Sequence, residues 1–251
     1  MKMKRIAALL CAAIVGLSTF AGCKDNSKII MATNAEFAPF EYVYNGEIAG
    51  VDVDIATAIA AKLGKKLEIL NVDWNSVLVA VPSGKADFAA SGMSVKPERL
   101  ESMDFSDPYY VATQYIIVHE TNDTITCAAD IKDLIVGTVD GYTGQNVCQD
   151  LGFTNIKGYK RGVDAVAELK NGKLDAVVID SHTAIALIKE NPGLKYVDDP
   201  AVFESEEYAI PVKKGNTELL NTINSVLAEL KAAGKIDEFI ALHTTNSGTE
   251  E

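Results

Sequence analysis

Basic residues are scarce: 23 Lys and Arg stand against 35 Asp and Glu, a formal net charge of -12 over 251 residues. A general nucleic-acid binder needs a basic face to displace counterions from phosphates, so this deficit excludes that class. Cysteine is scarce too. Four cysteines with no CxxC pair, and three histidines with no cluster, exclude a small disulfide-stapled scaffold and offer no structural zinc site. No metal is expected. The signatures GxSxG, GxxxxGKS, GxGxxG and HExxH are all missing beyond the N-terminal segment, so neither a catalytic nucleophile nor a cofactor is expected. What remains is an ordinary globular balance, 48% apolar and 23% charged with 18 Gly and 7 Pro, enough for one large or two modest domains.

Long apolar runs are missing as well. Lys2, Lys4 and Arg5 precede an uncharged stretch of only 15 residues, Ile6 to Phe20, too short to span a membrane. Basic, apolar and small residues in that order read as a signal peptide over residues 1–22. The stretch ends in Phe20-Ala21-Gly22-Cys23, which resembles the bacterial lipoprotein cleavage box, where the cysteine is lipid-modified and becomes the first residue. Phe20 departs from the leucine usual at its position, and ordinary secretion with a free Cys23 is the alternative. Cleavage after residue 22 takes three of the 23 basic residues and none of the 35 acidic ones, which moves the net charge from -12 to about -15. Residues 23–27 are expected to form a tether. Outside the cytoplasm Cys127 and Cys148 form a candidate disulfide pair, and two buried free thiols are the alternative.

From Ile29 onward short apolar runs alternate with helical patterns. Ile29–Thr33, Leu67–Val72 and Phe88–Ser91 read as strands, and Asp54–Leu63 and Asn75–Ser83 as helices. The helix ending at Ser83 runs into Gly84-Lys85-Ala86-Asp87. A second helical pattern, Val163–Asn171, runs into Gly172-Lys173-Leu174-Asp175 and the apolar strand Ala176–Ile179. This repeated helix-GKxD-strand phrase suggests two lobes of α/β class, each a mostly parallel sheet that binds ligands beyond the carboxyl ends of its strands. Glu218–Gly234 reads as a last helix, and 244–251 as a flexible tail.

The polar residues that fall at strand ends include Ser94, Arg99 and Asp180, with Phe37 and Trp74 as aromatic neighbours. Together they suit a zwitterion. Thr33-Asn34-Ala35-Glu36-Phe37-Ala38-Pro39-Phe40-Glu41, Gly50-Val51-Asp52-Val53-Asp54, Gly92-Met93-Ser94, Glu98-Arg99 and Asp104-Phe105-Ser106-Asp107-Pro108-Tyr109-Tyr110 resemble the polar amino-acid-binding proteins of bacterial ABC importers, the family 3 solute-binding proteins. The resemblance runs from about Lys28 to His243. It implies a periplasmic-binding-protein-like fold of two lobes joined by two hinge crossings, with lobe one at 28–109 and 208–243 and lobe two at 114–203.

The same resemblance assigns a ligand-binding set: Asn34, Phe37, Trp74, Gly92, Ser94, Arg99, Thr143 and Asp180. An amino acid presents a planar carboxylate, which the guanidinium of Arg99 can grip bidentately. Pro97 suits the first turn of a helix and places Arg99 near its N-terminus. Asp180 can pair with the α-ammonium, and it can also cap the helix that follows. Ser94, Gly92 and Thr143 match contacts to the ligand's polar ends, although Tyr142 in Gly141-Tyr142-Thr143-Gly144 is bulkier than the family's usual Thr or Ser. Phe37 and Trp74 match rings that sandwich the ligand side chain. Asn34 stands where relatives that prefer cationic amino acids commonly place an acidic residue.

The expected activity is therefore capture, not catalysis: a monomeric, lipid-anchored, extracytoplasmic receptor that hands a free amino acid to a permease and its ATPase. Alternatives are a dehydratase-like enzyme of the same fold, for which Glu36 is the spare carboxylate, and a ligand-sensing co-receptor. His119, His182 and His243 lie outside the matching motifs.

Overall fold

The computed structural model describes residues 26–246. The signal segment 1–22, Cys23 and most of the tether lie outside the described residues. The chain opens with β1 (Lys28–Thr33), the meander β2 (Glu36–Phe37), β3 (Glu41–Tyr44) and β4 (Glu47–Ala49), then α1 (Val51–Lys62), β5 (Lys66–Asn71) and α2 (Trp74–Ser83). β6 (Phe88–Ala89), α3 (Pro97–Leu100) and β7 (Met103–Phe105) follow, and β8 (Tyr110–Ala112) carries the chain into a second body. That body holds β9 (Gln114–His119), β10 (Ile135–Val139), α4 (Thr143–Asp150), β11 (Asn155–Tyr159), α5 (Gly162–Lys170), β12 (Ala176–Asp180), α6 (Ser181–Glu190) and β13 (Leu194–Asp198). β14 (Glu206–Tyr208) returns antiparallel to β8, and β15 (Pro211–Lys213), α7 (Thr217–Ala232) and α8 (Lys235–Asn246) rejoin the first body.

Each lobe is built on one five-stranded sheet, in the order β5-β1-β6-β15-β7 and β11-β10-β12-β9-β13. β1 runs parallel to β5 and β6, and β10 parallel to β11 and β12, as strand-helix-strand crossovers require. β15 and β9 run antiparallel to their neighbours. Each sheet is therefore mixed but mostly parallel, four strands running one way and one the other, because the strand that follows each crossing enters its sheet from the opposite direction.

Helices cover both faces of each sheet. On one face of the first, Ile55 and Ile59 of α1 meet Ile223 and Leu227 of α7. Val77 and Val81 of α2 pack on the other. In the second lobe Val166 and Leu169 of α5 cover one face, and Ile131 and Cys148 the other. Burial of each such side chain stabilises by about 1.5–3 kcal/mol.

The GKxD repeat is architectural. Gly84 and Gly172 take φ of 78° and 69°, left-handed values that stop α2 and α5 at little cost. Asp87 then accepts from the backbone N–H of Ile30 at 2.8 Å, and Asp175 from that of Ile135 at 2.8 Å. Each aspartate thus ties a helix-to-strand turn to a central strand of its own sheet.

Two expectations are corrected. Cys127 and Cys148 are free thiols. Cys127 caps a short 3-10 turn and turns its sulfur to Asp130, whereas Cys148 lies on the face of α4 packed into the lobe-two core. The tail expected from Thr244 is still helical there, since α8 continues to Asn246; residues 247–251 lie outside the described residues.

Candidate functional site

The carboxyl ends of strands from both sheets meet at one cleft. Ser91 and Gly92 follow β6, Tyr142 and Thr143 follow β10, and Asp180 ends β12. The walls of the cleft lie close together and leave a cavity of about 20 Å³, room for about one water molecule. Phe37, Trp74, Gly92, Ser94, Arg99, Thr143 and Asp180 all line it. Asn34 does not. It lines a neighbouring groove, with its side chain taken up by Val72 O at 3.1 Å and by the Tyr142 hydroxyl at 2.8 Å.

Arg99 follows Pro97 in the single turn of α3 and is buried. Its Nη1 donates to the carbonyl of Ser94 at 2.8 Å, and the guanidinium lies 5.3 Å over the Trp74 ring. Burial draws its pKa down, yet an arginine keeps its charge. Its remaining N–H groups suit a carboxylate.

Asp180 caps α6 by accepting from the His182 N–H at 3.0 Å, and its second oxygen accepts from the Tyr208 hydroxyl. Both roles considered for Asp180, cap and cleft residue, are therefore compatible. Burial, reinforced by the charge of Glu206, pushes its pKa up to about 7. A cation brought beside it would restore the carboxylate.

The turn after β6 is held from beneath. Ser91 Oγ donates to buried Glu41 at 2.7 Å, and the Gly92 N–H donates to buried Asp52 at 2.8 Å. Burial and the neighbouring Asp52 charge raise Glu41 well above the usual carboxylate range, and burial lifts Asp52 to about 6. Gly92 has φ of 48°, and a Cβ there would fall 2.6 Å from Phe37 Cε1, so only glycine fits.

Several contacts cross the cleft. Ser94 Oγ and Thr143 Oγ1 lie 3.3 Å apart, Trp74 Nε1 donates to Gly141 O at 3.0 Å, and Thr183 Oγ1 donates to Ala38 O at 3.2 Å. Phe37, Trp74 and Tyr142 form three walls of an aromatic box, with Tyr142 edge-on to both other rings at 5.5 and 5.1 Å.

The structure adds residues that sequence reasoning did not select. Tyr142 carried a signal, since its bulk departed from the family pattern. Tyr208 and Gln114 carried none, because each is brought to the cleft by strand pairing over long sequence separation. Gln114 pairs with Asp180 in the β9–β12 register, and its amide donates to Glu206 at 2.8 Å. Its Oε1 is buried at the cleft with no partner among the described residues.

The other chemistry-bearing residues stand away from this lining. Glu36 lies in the neighbouring groove, His119 contacts Leu169 O, and His243 contacts Tyr42 and Asp54. His182 meets the Tyr110 hydroxyl beside Phe40.

Residues 29–244 match the profile of bacterial extracellular solute-binding proteins, family 3. The chain is 34% identical to a probable histidine-binding protein of Neisseria gonorrhoeae, over 99% of this chain and 98% of that one. It is 33% identical to the arginine-binding extracellular protein ArtP of Bacillus subtilis, over 94% of this chain and 96% of that one. Among solved structures, the amino acid ABC transporter substrate-binding protein AbpA of Streptococcus pneumoniae, bound to L-arginine, superposes with a TM-score of 0.84 at 33% identity, covering 90% of this chain and 98% of that one. These relatives are solute receptors and not enzymes. With its two mixed α/β lobes and the cleft between them, this chain belongs to the bacterial extracellular solute-binding proteins, family 3.

Proposed function

We propose that this chain captures one free, polar L-amino acid between its lobes and delivers it to the permease and ATPase of an ABC importer, while Cys23 anchors it by a lipid at the outer face of the cell membrane. In this reading residues 28–109 with 208–243 form one lobe and 114–203 the other. The observation that carries it is the pair Arg99 and Asp180: a buried cation and a buried carboxylate, one from each sheet's side, lining one cleft.

Arg99 takes the ligand carboxylate with Ser94, Thr143 and the backbone at Gly92. Asp180 and the open Gln114 Oε1 take the α-ammonium, and Phe37 and Trp74 hold the side chain. Contacts from both lobes mean that ligand stabilises the closed arrangement, which is the form a permease distinguishes. The histidine- and arginine-binding names of the relatives support the amino-acid class.

The test is calorimetric titration of the chain from Lys24 onward with free amino acids, their N-acetyl derivatives and their amides. Free amino acids should bind and both blocked forms should fail. Equal binding of a blocked form would refute the two-ended grip.

A further inference from the structure

Beside Arg99 and Asp180, the cleft is lined by the box of Phe37, Trp74 and Tyr142. Tyr142 closes that box. Its hydroxyl donates to Asn34 Oδ1 at 2.8 Å, and Asn34 Nδ2 donates in turn to Val72 O at 3.1 Å. A continuous partition therefore runs from the loop after β10, across the cleft, to the backbone of the opposite lobe. Behind it lies the polar groove, lined by Glu36, Asp73, Asp140 and Asp164 against the two cations Lys160 and Arg161. Trp74 lines both spaces and, bonded to Gly141 O at 3.0 Å, stands beside the Tyr142–Asn34 pair in the wall between them.

We propose that Tyr142 limits the length of side chain this receptor accepts, favouring compact polar side chains and excluding the extended cations of lysine and arginine. The inference rests on the amino-acid reading of the cleft and names the ligand class within it. A hydroxyl buried in this box keeps its proton, because burial and the Glu41 and Glu36 charges raise its pKa, so the bond to Asn34 is maintained. A side chain long enough to reach past the partition has to break that bond and displace the ring from both aromatic neighbours. Beyond the partition, the acidic side chains of the groove would receive a cationic end once the ring is gone.

The experiment compares the intact sequence from Lys24 with Tyr142→Thr and Tyr142→Phe by measuring Kd for serine, asparagine, glutamine, histidine, lysine and arginine. Threonine is a good N-cap residue, so the start of α4 at this position is preserved. The unsubstituted chain should bind at least one compact ligand at least about tenfold more tightly than lysine or arginine, the discrimination a pocket achieves against a single misplaced methylene. Tyr142→Thr should raise relative arginine or lysine affinity at least about tenfold, and Tyr142→Phe should leave the length limit in place.

Lysine or arginine as the tightest ligand of the unsubstituted chain would overturn the proposal, as would an unchanged ranking in Tyr142→Thr. If Tyr142→Thr fails to fold, Tyr142→Leu, which keeps apolar packing, carries the same expectation and the same refutation. Absence of binding to every amino acid by the unsubstituted chain would instead overturn the amino-acid reading on which the proposal stands.

Discussion

Tyr208, on the returning strand β14, donates its phenolic proton to Asp180 at the end of β12. A buried carboxyl is thus satisfied by a neutral donor. Asp180, lifted to about 7 from the ordinary aspartate range near 4, is protonated at mildly acidic pH.

The sign of the pH dependence follows from linkage. A carboxyl raised on folding stabilises the folded chain most below its unfolded value near 4, and that contribution is lost as pH rises through about 7. Ligand binding needs the ionised form, so amino-acid affinity should increase between pH 5.5 and 8 and then level off. Asp180→Asn should weaken binding by at least about thirtyfold and abolish the rise. A pH-independent affinity in the unsubstituted chain would contradict the assignment.

Arg99 offers a fork of donors already oriented by the Ser94 carbonyl and the Trp74 ring. Arg99→Lys keeps the charge and loses the fork, so its affinity should fall by about tenfold or more, and Arg99→Ala by about a hundredfold or more. Native circular dichroism should persist in both. Affinity unchanged in Arg99→Ala would place the carboxylate elsewhere.

Trp74 is the chain's single tryptophan, and its indole N–H bonds to Gly141 O across the cleft. Ligand that enters beside this ring changes both its surroundings and the lobe contact. Emission should therefore shift in wavelength or intensity with a saturable dependence on amino acid. An unchanged spectrum at saturation would put the ligand away from the ring.

His243 joins α8 to the first lobe: its Nε2 lies 2.9 Å from Asp54 Oδ2 and its Nδ1 lies 3.1 Å from the Tyr42 hydroxyl. The latch lies outside the cleft. His243→Ala should cost about 1–3 kcal/mol of stability, and about 2–4 °C in Tm per kcal/mol, without altering amino-acid affinity. A changed affinity with an unchanged Tm would show a functional role instead.

The free thiols give a chemical test. Burial pushes Cys148 up to about 12, so it should resist thiol reagents until the chain is unfolded, and reductant should leave Tm unchanged. Detection of a Cys127–Cys148 bridge by peptide mapping would contradict the structure.

Much of this architecture was legible because its elements obey local rules. The strand bounded by Ile29 and Thr33 and the helix ended by Gly84 were readable from apolar runs and a glycine stop. Even the GKxD repeat was visible, although its role was not: Asp87 and Asp175 act on strands far away in sequence. Non-local pairing explains the other misses. The antiparallel entry of β9 and β15 depends on where the crossings lead, and Gln114 and Tyr208 reach the cleft through that pairing. Asn34 shows the converse limit, since its motif position was clear but its contact with Tyr142 was set by the opposite lobe.

The most direct test of amino-acid capture is a thermal-shift panel of the twenty common L-amino acids on the purified chain from Lys24. Binding to the native state raises Tm by mass action, so one or a few compact polar amino acids should give a concentration-dependent increase, which Arg99→Ala abolishes. No increase with any of them would contradict the account.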